Sequence, residues 1–337
     1  MKVLLIGGTG TISSAIADNF REKGWDVWLL NRGNGNVQGV NRIICDINDE
    51  AQAMEKLKTH SFDAVADFVI FKKEQAESRY RIFKGKTRQY IYISSASVYQ
   101  KPPSDYRINE GTPHANPFWQ YSRDKIACEE FFINKYREEG FPVTIVLPSH
   151  TYDDKKVPVG VHGAKGSWQV IKRMLDGKPV IIHGDGTSLW TMTNSIDFAE
   201  AFAGLIGNIH ATGEMVQITS DESLTWNQVY QTIAEILGVP LKAMHISSEF
   251  LSNTGRYDFR GSLLGDKANS VVFDNAKLKR LVPGFTTKIR FDQGAARSIK
   301  YLLSHKELQI EDPEFEVWCD RVIAAQEKAL ASLNQAF

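Results

Sequence analysis

An excess of charge of either sign is the first thing this 337-residue chain lacks: Lys plus Arg and Asp plus Glu number 40 each. With no net field to draw in nucleic acid or anionic lipid, any anion has to be bound locally. Cysteine is scarce. Cys45, Cys128 and Cys319 form no CxxC pair and stand near no histidine cluster. That excludes a disulfide framework and a structural zinc site, and leaves three small buried apolar residues of a reducing compartment, with no metal expected. Long apolar runs are missing as well. The first, Val3 to Ile6, stops at glycines, unlike the apolar region of a secretion signal, and no stretch reaches the length of a membrane span. A cytoplasmic protein without a membrane partner is expected. There is no internal repeat and no low-complexity segment. The length allows a full core and a second lobe.

Against these absences stands a concentrated feature at residues 1–13, MKVLLIGGTGTIS. A short apolar run suited to a buried parallel strand ends at Gly7, Gly8 and Gly10, and Ile12, Ala15, Ile16 and Phe20 then start a helical period. Residues without a Cβ let backbone N–H groups approach a pyrophosphate held at the positive end of a helix. An ordinary tight turn would share the pattern, but its place directly after a strand favours a dinucleotide cradle. Ser13 occupies the place of the usual third glycine and must pack against the sheet.

A second strand, Asp26 to Leu30, ends at Asn31-Arg32-Gly33. In a dinucleotide fold an acid at that spot grips a ribose 2′-hydroxyl; here Arg32 offers a planar donor fork instead, so NADP(H) is favoured and NAD(H) is the alternative. Arg42 to Cys45 makes a third strand, followed by Asp46 and Ile47, where a carboxylate suits an adenine amino group. A helix at 51–57, a strand at 63–69, a charged helix at 73–83 read as a solvated face, and a strand at 89–93 follow. This alternation implies βαβ units and a parallel sheet covered on both faces. The fifth strand ends in SSASVY (94–99), and strand tips of this kind point at a ligand. Tyr121 and Lys125, four apart at the start of the next helix, stack on one face.

With these features in order the sequence resembles the extended short-chain dehydrogenase/reductase family of NAD-dependent epimerase/dehydratase type, which includes UDP-galactose 4-epimerase. The resemblance covers residues 1 to about 300 and rests on GGTGTIS (7–13), CDI (45–47), SSASVY (94–99), YSRDK (121–125), LPSHTYD (147–153), GDGTSLWTMTNSID (184–197) and FDNAK (273–277). It implies an α/β fold, a Rossmann-type doubly wound parallel sheet with a smaller, discontinuous α/β substrate lobe. The dinucleotide domain would span 1–155 with 190–220 returning to it, the substrate lobe 156–189 and 221–305, and a C-terminal helical extension 306–337, with a homodimer as the assembly. Within the lobe, a helix from Leu224 to Leu237 capped by Ser223 is expected.

Carried over by residue, the resemblance makes Tyr121 the general acid or base. Lys125 holds the ribose and eases phenol ionisation, and Ser95 binds the reacting oxygen. Cofactor contacts fall to Gly7, Gly10, Thr11, Ile12, Asn31, Arg32, Asp46, Ile47, Phe68, Tyr121, Lys125 and Pro148; substrate contacts fall to Ser97, His150 and Trp190. Bringing a phenol from about 10 to about 7 takes roughly 4 kcal/mol. A lysine about 6 Å away supplies on the order of 3 kcal/mol at an effective dielectric near 20 and an oxidised nicotinamide adds positive charge, so no metal is needed.

Departures from the family pattern bear on the substrate. Ala96-Ser97 stand where dehydratases carry an Asp-Glu pair, which disfavours dehydration. The family's diphosphate-binding arginines are replaced by Trp190 and Leu263, the arginine of its RPxN segment by Leu147, and the asparagine by His150. Two lost bidentate contacts cost several kcal/mol. Arg256, Arg260 or Lys267 restores the charge in one reading. In the other, Trp190 walls a smaller hydroxy or keto compound; as a plain packing residue between lobes it would do neither. The leading expectation is an NAD(P)-dependent oxidoreductase or epimerase acting on a secondary hydroxyl or ketone of a carbohydrate or nucleotide sugar. The alternative is a reductase of a smaller, non-nucleotide compound. A third class, nucleotide-sensing or RNA-associated relatives such as the chloroplast stem-loop binding proteins, is opposed by zero net charge and by the Ser95, Tyr121, Lys125 set.

Overall fold

The five strands read from apolar runs in the sequence are present, and two more join them from later in the chain. A computed structural model describes residues 1–33 and 39–334. In chain order the main elements are β1 (Lys2–Ile6), α1 (Thr11–Glu22), β2 (Asp26–Asn31), β3 (Asn41–Ile44), α2 (Glu50–Lys56), β4 (Phe62–Asp67), α3 (Lys73–Phe83), β5 (Thr87–Ile93), α4 (Gln120–Glu139), β6 (Val143–Pro148), α5 (Ser195–Leu205) and β7 (Met215–Ile218). All seven strands pair in parallel, in the order β7-β6-β5-β4-β1-β2-β3. This is the expected Rossmann-type doubly wound sheet, with the strand order reversing beside β1, where such sheets bind ligands.

Both faces of the sheet are covered, so its strands need apolar side chains in both directions. On one face Ile16, Ala17 and Phe20 of α1 meet Phe198 and Phe202 of α5, with Val3, Leu5, Ala64 and Ile91 beneath them. On the other, Phe83, Tyr90, Phe132 and Phe141 form a ring cluster with neighbouring centroids 5.4 to 6.1 Å apart. Such tilted ring pairs add to their burial.

The chain divides into two compact units. One comprises Met1–Thr151, Thr193–Asp221 and Phe273–Lys288; the other comprises Tyr152–Met192, Glu222–Val272 and the described residues from Ile289 onward. Phe273–Lys288, expected in the substrate lobe, lies in the first unit because Leu278 and Phe285 complete its core. The expected 306–337 extension belongs to the second unit. Its helix, Pro313–Asn334, buries Phe315, Trp318, Cys319, Val322 and Ile323. Buried Arg173 anchors it through Glu316 at 3.0 Å and Asp320 at 2.8 Å. Residues 335–337 of that extension lie outside the described residues.

One helix start differs from expectation. Leu224-Thr225 are drawn into a two-residue strand opposite Leu189-Trp190, so the helix begins at Trp226 rather than Leu224. Its cap is Thr225, not Ser223. Gln228 N–H donates to Thr225 Oγ1 at 3.1 Å, and Thr225 N–H donates to Gln228 Oε1 at 2.8 Å, a reciprocal capping box.

Candidate active site

The glycine loop leaves β1 with Gly7 at φ +102° and Gly8 at φ +54°, both in the left-handed half of conformational space. A Cβ on Gly8 would lie 2.6 Å from Leu29 Cδ2, and one on Gly7 2.9 Å from Val69 Cγ1. Gly10 precedes α1 without a capping side chain, which leaves the N–H groups at Thr11 and Ile12 for a ligand. Ser13 is buried, and its hydroxyl accepts the Gly10 N–H at 2.9 Å. The serine thus fastens the turn that a third glycine usually packs.

Around this loop is a pocket of about 330 Å³ lined by Gly7 and Thr9, by Asn31 and Arg32 at the end of β2, by Cys45 to Asn48, and by Val69, Phe71 and Gln75. Asn31 Oδ1 accepts the Gly33 N–H at 2.9 Å, while its buried Nδ2 has no acceptor among the described residues. Arg32 is exposed. An orphaned donor, an exposed guanidinium, a turn that a Cβ would fill and a helix N-terminus together fit a dinucleotide, with donors where a ribose or its phosphate would sit. Of the other expected contacts, Phe68 follows β4, donating its N–H to Ile6 O at 3.1 Å, and buried Pro148 ends β6.

Lys125 is 2% exposed. Its Nζ donates to Ile70 O at 2.6 Å and to Ile93 O at 2.8 Å, and it lies 5.8 Å from the centroid of the Tyr121 ring. Two of three ammonium donors therefore fix the side chain between the ends of β4 and β5. Burial pulls its pKa down to about 8, and the nearby Cys128, Asp67 and Glu129 oppose that shift. Tyr121 is half-buried on the first turn of α4.

Ser95 caps a short turn at the tip of β5, accepting the Ser97 N–H at 3.2 Å. Its Oγ is 2.9 Å from Ser97 Oγ, which accepts from Ser122 Oγ at 2.8 Å. The chain of hydroxyls ties Ser95 to the residue after Tyr121. Ser97, expected to touch substrate, is instead 3% exposed and engaged on both sides, so it holds Ser95 in place. The start of α4 is set by Asn116, whose Nδ2 donates to Ser97 O at 2.8 Å and whose Oδ1 accepts from the N–H groups of Phe118 and Trp119.

Two buried charged groups were missed by the sequence reading. Glu129, one turn beyond Lys125, is 1% exposed and accepts from Ser94 Oγ and from His114 Nδ1, the latter at 2.7 Å. Arg79 lies on the helix read as a solvated face, yet it is fully buried and pairs with Asp67 at 3.2 Å. Burial raises the Asp67 pKa despite that partner. Spacing could have found both: Arg79 falls in the stripe Ala76, Ile82, Phe83, and Glu129 in the stripe Ser122, Lys125, Phe132.

The remaining substrate candidates divide. His150 is half-buried just after β6. Trp190 is 2% exposed and faces Leu224 across the two-stranded piece of the second unit, so it is a core residue of that unit and not an open wall. Leu263 is likewise fully buried. Of the basic residues that would restore charge near it, Arg256 pairs with Glu314, whereas Lys267 is buried and donates from Nζ to Ser262 O at 3.2 Å.

A glycine turn at the switch point of a doubly wound sheet, with Ser95, Tyr121 and Lys125 at the ends of β5 and α4, is the arrangement expected of a short-chain dehydrogenase/reductase enzyme. Residues 3–218 match the sequence model of the NAD dependent epimerase/dehydratase family, and the chain belongs to that family. It is 23% identical to 2′-dehydrokanamycin reductase of Streptomyces kanamyceticus over 298 residues, 85% of this chain and 80% of the relative. It is 24% identical to chloroplast stem-loop binding protein of 41 kDa b of Arabidopsis thaliana over 255 residues, 71% of this chain and 64% of the relative. The fold is shared with UDP-glucuronic acid 4-epimerase from Bacillus cereus, solved with UDP-glucuronic acid and NAD, at a TM-score of 0.72 and 17% identity, over 90% of this chain and 99% of that one.

Proposed function

We propose that the protein is an NADP(H)-preferring oxidoreductase that interconverts a ketone and a secondary alcohol on a carbohydrate. The observation that carries this reading is Lys125, held between two backbone carbonyls beside the Tyr121 ring. The bound dinucleotide would supply or accept the hydride. In the reducing direction the Tyr121 phenol gives its proton to the oxygen of the substrate carbonyl, while the Lys125 ammonium stabilises the phenolate left behind. Ser95 Oγ donates a hydrogen bond to the same oxygen. In the oxidising direction the phenolate takes the alcohol proton.

NADP(H) is preferred because the end of β2 carries the donors Asn31 and Arg32 and no carboxylate. The substrate reading draws on the similarity to 2′-dehydrokanamycin reductase, and on Trp190 and Leu263, buried where the family's diphosphate arginines stand. A nucleotide-sugar epimerase is the second reading, favoured by the fold shared with the UDP-glucuronic acid enzyme.

The test follows NADPH oxidation with keto-glycosides and, separately, incubates the protein with UDP-hexoses without added cofactor. Consumption of NADPH by a keto-glycoside is expected; epimer interconversion without it favours the second reading. Tyr121→Phe should lower turnover about 10²- to 10⁴-fold. Unchanged turnover in that variant overturns the catalytic assignment.

A further inference from the structure

The pocket beside the glycine loop has two walls, Cys45 to Asn48 after β3, and Val69 with Phe71 after β4. Both are loop segments, and loops alone hold a slot poorly. α3 runs behind the pocket, and two of its residues, four apart and so on one face, bond to both walls. At the rim, Gln75 donates from Nε2 to Asn48 Oδ1 at 3.3 Å, and its Oε1 accepts from the N–H groups of Phe71 at 2.8 Å and Lys72 at 3.1 Å. At the floor, fully buried Arg79 donates from Nη1 to Ile47 O at 2.9 Å, from Nη2 to Asn48 Oδ1 at 2.8 Å, and from Nε to Asp67 Oδ2 at 3.2 Å. Asp67 passes the connection on. Its Oδ1 accepts the Val69 N–H at 2.9 Å, and its Oδ2 also accepts from Tyr90 Oη at 3.0 Å.

We propose that Arg79, with Asp67 beneath it and Gln75 above it, is a positioning residue that fixes the width of the slot for the adenosine half of the dinucleotide. This rests on the reading of the pocket as a dinucleotide site. A buried ion pair is a poor source of net stability, since desolvation offsets most of the attraction. A guanidinium offers direction instead: its donors lie in one rigid plane, and here they reach two backbone segments and a carboxylate at once. A lysine cannot make the three contacts together. Arg79 and Asp67 do not touch the ligand; they hold Ile47, Asn48 and Val69, which line its slot.

Three chains test this: the wild type, Arg79→Lys, which keeps the charge opposite Asp67, and Gln75→Ala, which removes the half-buried side chain that bonds the two walls at the rim. Affinities for 5′-AMP and NADPH are measured by titration calorimetry, and unfolding midpoints by calorimetric scanning. Both variants should lose affinity for 5′-AMP and for NADPH by the same factor, about tenfold, the size of one well-placed hydrogen bond to a charged or polar group. The midpoint of Gln75→Ala should fall slightly, because the bonds from the Phe71 and Lys72 N–H groups at the start of α3 are lost, with a single unfolding transition kept in both variants. Unchanged 5′-AMP affinity in Arg79→Lys, or a loss larger for NADPH than for 5′-AMP, overturns the proposal, because the change would then lie outside the adenosine slot. A wild type that binds neither ligand overturns the dinucleotide reading itself, and the positioning role with it.

Discussion

Lys125 pits stability against chemistry. An ammonium taken out of water favours the neutral form, so its pKa sits at about 8 in the folded chain against 10.5 in the open. The gap corresponds to roughly 3 kcal/mol, a cost borne below pH 8, where the lysine is charged in both states. Between pH 8 and 10.5 the native state releases this proton first, so the contribution of Lys125 to stability rises with pH across that window. Lys125→Met should remove that rise, which urea titrations at pH 7, 9 and 10.5 would show, and should abolish turnover. Arg32→Ala should weaken NADPH about tenfold and NADH little, because one charge-assisted contact to a phosphate is lost; fluorescence titration separates the two. At this scale the sequence was legible where backbone geometry demands a rare residue, as at Gly7 and Gly8, and where a four-residue spacing sets two side chains on one helical face, as at Tyr121 and Lys125. It was illegible where one residue type serves two ends. A tryptophan such as Trp190 can be wall or core, and Ser95 and Ser97 differ only in which one the turn buries.

Among elements, the first five strands of the sheet were readable because a parallel sheet covered on both faces needs continuous apolar runs, and Gly7 marks the end of the first. α3 was misread because charged residues dominate it, and only the position of Arg79 on the buried stripe distinguishes it from its solvated neighbours. The helix Trp226–Leu237 was displaced by two residues because strand pairing with Trp190 outweighs the helical preference of Leu224. The reciprocal bonds of Thr225 and Gln228 make a testable start signal. Thr225→Ala should destabilise the chain by about 1 kcal/mol, seen as a lower denaturation midpoint, and Ser223→Ala, which leaves that cap intact, by less.

For the molecule as a whole, neither compact unit is one continuous piece of chain. α5 and β7, which the first unit needs to cover α1 and to flank β6, arrive only after residue 192. A fragment of residues 1–151 would therefore expose Phe20 and the near face of β6, and should show no cooperative thermal transition by circular dichroism, in contrast to the full chain. The opposite side of the sheet ends in β3, and this has a bearing on behaviour at high concentration. An outermost strand is a template on which another chain can build. β3 offers only four residues, with Asn41 and Arg42 exposed ahead of Ile44, which is 61% exposed. The brevity and polarity of that rim, with the Arg42 charge at its middle, guard the protein against ribbon-like aggregation that its apolar interior would otherwise invite.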